Sequence, residues 1–322
     1  MVKELLKKQN TVLWMIALAS IALPVLIENR YYQDILIMTF LWTGLTASWN
    51  LYCGRLSIGH AAFLGIGAYA AALLYANYGV SPWIGMLAGG VLSALVALMI
   101  GGSTMRLKGT FFVLATIAFA KILETFTITA KGLTGGSLGV LIPYAPGFVN
   151  MTWQSKIPYA VLAWIYMLAI LAVCVWVENS RLGYFLRAVG EDREAAENLG
   201  VNASGTMLIA FAMSAVFTSF GGSIMAMYVM YIEPTSVMSM TNSVQFILLA
   251  IAGGSGTAFG PLAGAYLLVP LTNLLRGNFP SISGLHGLLL GLILIAVLLY
   301  RSSGILPALR GFFAKRRKGA VR

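Results

Sequence analysis

The residues able to do acid–base or metal chemistry are few and scattered. His60 and His286 are the only histidines, and neither sits in an H-E-x-x-H pattern. No loop carries a carboxylate pair at catalytic spacing, so the chain offers no hydrolytic or metal-assisted site. Cys53 and Cys174 lie in or beside apolar runs without C-x-x-C spacing and read as small apolar fillers, with no disulfide framework and no zinc set. A G-x-x-x-x-G-K-[ST] loop is absent, so the chain binds no nucleotide through a P-loop, and any coupling to ATP needs another subunit.

Two constellations remain. The run from Ser57 to Tyr69, with Gly59, His60, Gly65 and Gly67, puts small and polar residues inside an apolar stretch. One reading is close helix packing. The other is a helix broken near Ser57 to Gly59, whose N–H groups meet an anionic group of a substrate, with His60 beside the path. Lys121 and Glu124 are three apart and share a helix face. An ion pair there lowers the cost of burying either charge and fixes helix rotation; alternatively, Glu124 is a proton relay in an ion-coupled secondary transporter.

The elements that must position these residues are membrane helices. Hydrophobic residues make up 59% of the chain and charged ones 10%, far from the roughly one-quarter charged composition of soluble domains. In a bilayer, a chain of 322 residues accommodates about ten helices of roughly 20 residues. Apolar segments run over 11–27, 35–54, 56–77, 83–104, 109–130, 158–177 and 207–231. A further stretch, 243–275, is broken by Gly253-Gly254-Ser255-Gly256 through Pro261 and forms either two crossings or a re-entrant hairpin; 285–300 closes the bundle. The first segment follows Lys3, Lys7 and Lys8 in the manner of a signal peptide, but it is long enough to span and no convincing cleavage site follows, so it is expected to be retained.

The fold class expected is thus an all-α polytopic membrane protein, with residues 1–10 as a cytoplasmic N-terminus, 11–301 as the transmembrane domain and 302–322 as a basic cytoplasmic tail. With the N-terminus inside, Lys3, Lys7, Lys8, Arg55, Arg106, Lys108, Arg181, Arg187, Arg193 and the cluster from Arg301 to Arg322 are cytoplasmic. Only Arg30, Lys131, Lys156 and Arg276 remain outside, as the positive-inside rule requires. The formal charge of +11 therefore reflects topology, and the tail reads as an anchor near anionic lipid instead of a nucleic-acid arm.

Two connections are long enough to do more than turn. The outer loop, 131–157, holds Gly135, Gly136 and Ser137 in a Gly- and aromatic-rich run that is expected to fold over the outer mouth. The inner loop, 178–206, reads as a short amphipathic helix. Glu191 and Asp192 favour its N-terminal dipole, Ala195, Ala196 and Leu199 form an apolar face, and Gly200 is the stop.

Three blocks, Leu56 to Tyr69, Lys131 to Ser137 and Ala252 to Ala265, resemble in order and spacing the membrane permeases of bacterial branched-chain amino-acid ABC importers, the LivM type. The resemblance covers about residues 31–300 and includes Ser180 to Val189 and Glu191 to Val201, which look like the family's cytoplasmic loop. It implies an ABC importer permease-like bundle in the bacterial inner membrane, carrying branched-chain amino acids. The same family contains urea and short-amide permeases, which share these blocks. Glu194-Ala195-Ala196 with Gly200 resembles the EAA loop that seats a helix in an ATPase cleft, so Glu194, Ala195, Ala196, Leu199 and Gly200 are expected to carry coupling. The I-x-L-P ending found in other importer classes is missing after Gly200, so their docking geometry does not transfer. The implied partners are a periplasmic substrate-binding protein, a second homologous permease, two ATPase subunits that bind the ATP, and the lipid bilayer, with no cofactor in this chain. The substrate pathway is expected along Ser57, Gly59, His60, Gly135, Gly136, Ser137, Gly253, Gly254 and Ser255.

Overall fold

The computed structural model describes residues 2–51, 57–107, 109–278, 291–292 and 304–307, with side chains from Asn10 onward. Cys53, Arg55, Leu56, Lys108 and His286 lie outside the described residues, as do almost all of the closing segment 285–300 and of the tail. The helices run α1 (Val2–Ala19), α2 (Ala22–Leu26), α3 (Arg30–Asn50), α4 (His60–Tyr78), α5 (Pro82–Thr104), α6 (Thr110–Thr129), α7 (Lys131–Thr134), α8 (Ile157–Glu178), α9 (Arg181–Glu191), α10 (Arg193–Asn198), α11 (Ala203–Val229), α12 (Pro234–Val237), α13 (Met240–Gly253) and α14 (Gly260–Asn278). The short strands β1 (Val140–Leu141) and β2 (Tyr231–Ile232) pair antiparallel and tie the outer loop to the end of α11. Among the described residues, six stretches are long and apolar enough to cross a membrane: α4, α5, α6, α8, α11 and the run Pro234–Gly253.

Local chemistry sets most helix ends. The first apolar segment begins its helix at Val2 and is interrupted at Ser20–Ile21. Pro24 has no N–H for the Ser20 carbonyl, which instead accepts from Leu23 N–H at 3.1 Å. The Asn29 side chain caps α3 by accepting from Tyr31 N–H at 2.9 Å, so this helix starts earlier than its apolar run. Residues 57–59 are non-helical and α4 starts only at His60, as one of the two readings of this run has it.

The bundle has two packed groups. Helices α4, α5 and α11 pack on one another, while α3 packs against α8, α14, α13 and α11 and so joins the groups. Small residues let the backbones touch: a Cβ on Gly67 would land on the Ser219 carbonyl, and one on Gly222 on the Leu64 carbonyl. Ser223 Oγ donates to the Gly67 carbonyl at 2.9 Å across the same crossing. On α5 and α6 many large apolar residues are turned outward, including Leu87, Val91, Leu95 and Met99 on α5 and Phe111, Ile122 and Phe126 on α6. Lipid tails are as apolar as leucine, so tight packing of small residues selects the interior.

The broken stretch 243–275 is a helical hairpin. Gly253 lies against Gly260 and Gly264 against Leu249, which runs α13 and α14 antiparallel in backbone contact. The inner loop contains two helices where the sequence suggested one, because Ser180 caps an additional amphipathic helix, α9, whose Gly183, Leu186 and Val189 are buried.

Candidate functional site

At one end of the bundle, the break at residues 57–59 and the 254–259 connection are held together through the last two residues of α3. Trp49 Nε1 donates to the Ser57 carbonyl at 2.9 Å. Asn50 Nδ2 donates to the Thr257 carbonyl at 2.9 Å, and its Oδ1 accepts from Gly256 N–H at 3.0 Å. The two Gly-rich blocks thus share one scaffold. Gly253 and Gly254 are buried while Ser255 is exposed.

His60, fully buried, is the centre of this region. Its Nδ1 lies 3.1 Å from Ser57 Oγ and its Nε2 2.7 Å from Ser214 Oγ on α11. A neutral imidazole satisfies both hydroxyls by donating to one and accepting from the other. Trp49, Phe63, Phe211 and Phe246 ring it with centroids 5.8–6.3 Å away. The backbone amides of the break are also occupied: Ile58 N–H donates to Thr116 Oγ1 and Ala61 N–H to Ser243 Oγ, each at 3.2 Å. In this conformation the helix start therefore offers no exposed amides at Ile58 or Ala61, because hydroxyls from α6 and α13 reach them first. A Cβ on Gly59 would meet the Thr116 carbonyl at 2.8 Å, so this glycine serves close packing.

Gly135, Gly136 and Ser137 lie at the other end of α6, away from Thr116 by about 20 Å of helix. Gly135 and Gly136 both have positive φ, 74° and 62°, which explains their residue type by turn geometry. The 131–157 loop is pinned down by Trp83 Nε1 donating to the Phe148 carbonyl at 2.9 Å and by Tyr231 OH donating to the Leu138 carbonyl at 3.0 Å.

In the inner loop, Asp192 caps α10 by accepting from Ala195 N–H at 3.0 Å, and Gly200 turns out of it with φ 86°. Arg193 anchors the helix, reaching the Met105 carbonyl and Ser204 Oγ at 2.8 Å each and Glu197 Oε1 at 2.9 Å. The apolar face expected of Ala195, Ala196 and Leu199 is split. Ala196 is buried against this chain, whereas Glu194, Ala195 and Leu199 are exposed, Leu199 by 86%. Six residues make fewer than two turns, so one face cannot serve both surfaces.

Lys121 Nζ and Glu124 Oε2 are paired at 3.0 Å, with the lysine outward and the carboxylate largely buried.

The cavity that the sequence did not signal lies at the opposite end of the bundle, the end expected to face outward. It has a volume of about 620 Å³ and is lined by α3, the N-terminal end of α8, the C-terminal end of α11, Asn273 of α14 and the 144–156 loop. The Asp34 carboxylate accepts from Lys156 Nζ and from the Tyr228 hydroxyl, one at each oxygen. Lys156 Nζ also donates to the Arg30 carbonyl at 3.2 Å. Trp153, Tyr159 and Tyr228 stack edge to face along the wall, with centroids 4.9 and 5.3 Å apart. A lone Asp34 near the start of an apolar segment carried no spacing signal, since its partners are 122 and 194 residues away.

Comparison with known proteins fits this architecture. The family profile described as "Branched-chain amino acid transport system / permease component" matches residues 31–298. The high-affinity branched-chain amino acid transport system permease proteins LivM of Salmonella typhimurium and Escherichia coli are each 27% identical over 94% of this chain and 76% of their own length. The autoinducer 2 import system permease protein LsrC of Yersinia enterocolitica is 27% identical over 35% of this chain and 33% of its own. No solved structure matches. A permease component of this kind is not an enzyme, and it works with ATPase and substrate-binding partners. With the profile spanning most of its helices, this multi-pass membrane protein belongs to the permease-component family of branched-chain amino acid ABC transport systems.

Proposed function

We propose that the chain translocates leucine, isoleucine and valine across the inner membrane as one of two homologous permease subunits, powered by two separate ATPases and fed by a periplasmic binding protein. The observation that carries the cargo is the likeness to LivM along 94% of the chain, against a likeness to LsrC confined to about a third of it. About ten spans with both termini cytoplasmic complete this reading, the α13–α14 hairpin supplying two of them. It is supported by the gathering of the 254–259 connection, α9 and Gly304 at one end, with Asp34 and Lys156 at the other. The pathway would pass the helix interruptions at Ser57 to His60 and Gly253 to Ser255 inside, and Gly135 to Ser137 outside; opening the sealed His60 region would be the work of ATPase closure.

Coupling is assigned to Glu194, Ala195, Leu199 and Gly200, with Ala196 as the residue that seats α10 on this chain's own core. The exposure of Leu199 supports that division. The complete complex in proteoliposomes is expected to take up leucine with ATP inside, and Leu199→Arg, changing an exposed residue, to cut ATPase co-purification and uptake by about tenfold or more, since an unpaired charge is buried in the joint. Uptake by the isolated chain, abolished by an uncoupler and by Glu124→Gln, would overturn the reading in favour of a secondary transporter.

A further inference from the structure

We propose that the outer cavity is a binding station for the zwitterion of an α-amino acid, with Asp34 receiving its ammonium group, Lys156 its carboxylate and the aromatic wall its apolar side chain; the identity of this ligand rests on the cargo reading above. Its volume of about 620 Å³ falls within the roughly 300–1,000 Å³ of small-molecule sites. The chemistry of the lining is specific. An acid and a base side by side attract a ligand carrying both charges, while a simple anion is repelled by Asp34 and a simple cation by Lys156. A neutral amide needs neither charge.

Both groups keep capacity for a ligand without leaving each other. Lys156 has three N–H donors, and the Asp34 and Arg30 oxygens take two of them. Each Asp34 oxygen accepts one donor and retains a lone pair, so an ammonium group can add a charge-assisted bond. Tyr228 acts as a positioning residue: its hydroxyl holds one Asp34 oxygen, and Tyr159 packs edge-on to its ring. Trp153 and Tyr159 offer apolar surface beside these charges, and Tyr144 and Met38 complete the lining. The cluster joins α3, α8 and α11, which places the station where the three helices meet the outer side.

The competing account is a plain structural tie between α3 and α8. The two are separated by swapping the charges, because Asp34→Lys with Lys156→Asp restores an ion pair but reverses its polarity. Leucine uptake is measured with the complete complex, binding protein and ATPases included, at matched complex levels. Asp34→Asn and Lys156→Gln are each expected to lower uptake by about tenfold, the value of one charge-assisted hydrogen bond, and the double swap to remain as low. As a second measurement, radiolabelled leucine held by the wild-type complex without binding protein is expected to be displaced by valine and not by leucinamide or 4-methylpentanoate, which each lack one charge. Single variants with wild-type uptake, a double swap that regains it, or displacement by the one-charge analogues would overturn the station while leaving the cargo reading standing. A wild-type complex that imports no branched-chain amino acid would overturn that reading and this ligand with it.

Discussion

The two polar clusters of the molecule are built in opposite ways. Around His60 every side chain of the cluster finds its partner inside the bundle, aromatic rings close over the imidazole, and glycines bring α4 and α11 into backbone contact. Around Asp34 the charges are paired but stand at the edge of an open cavity. In lipid, a polar group without water must be satisfied internally, so the His60 cluster is closed; at the rim of the Asp34 cavity solvent is available, so charged groups can be left to meet a ligand. Richness in glycine therefore marks where helices touch, and it does not mark where space remains.

This contrast can be tested by substitutions graded from core to rim. The largest effect is expected at Gly222→Leu, which drives a side chain into the Leu64 carbonyl where neither backbone can give. A loss of about 3 kcal/mol or more, read from thermal unfolding of the detergent-purified protein, would confirm the contact. Wild-type stability would mean that α4 and α11 are not in touch. His60→Ala comes next, at about 2 kcal/mol, because it removes the common partner of the Ser57 and Ser214 hydroxyls. Should His60→Ala leave stability unchanged, the cluster is not sealed and the imidazole is free to serve the pathway. The smallest effect belongs to the rim: Tyr144→Ala, at a residue 55% exposed, should shift stability by no more than about 0.5 kcal/mol. A cost equal to that of His60→Ala would erase the distinction between the two regions.

The chain's own residues determined the elements. Hydropathy located α3, α4, α5, α6, α8 and α11, because in a bilayer each helix satisfies its backbone within itself and is legible one segment at a time. The interruption at 254–259 was visible in its glycines and proline, whereas a break at 57–59 is one of two readings that its residues allow; Asp192 was legible as an acidic residue at the start of α10, and the structure makes it the cap. The Ser180-capped helix α9 is not separated from its loop by hydropathy, since charged residues interleave with the Gly183, Leu186 and Val189 that it buries. Tertiary structure alone decided that Ala196 turns inward while Leu199 turns outward, that Ser214 and Ser243 reach His60 and Ala61 at the start of α4, and that Asp34, Lys156 and Tyr228 converge on one cavity. These contacts join residues far apart in sequence, and no local periodicity encodes them; they follow from which small residues let which helices approach.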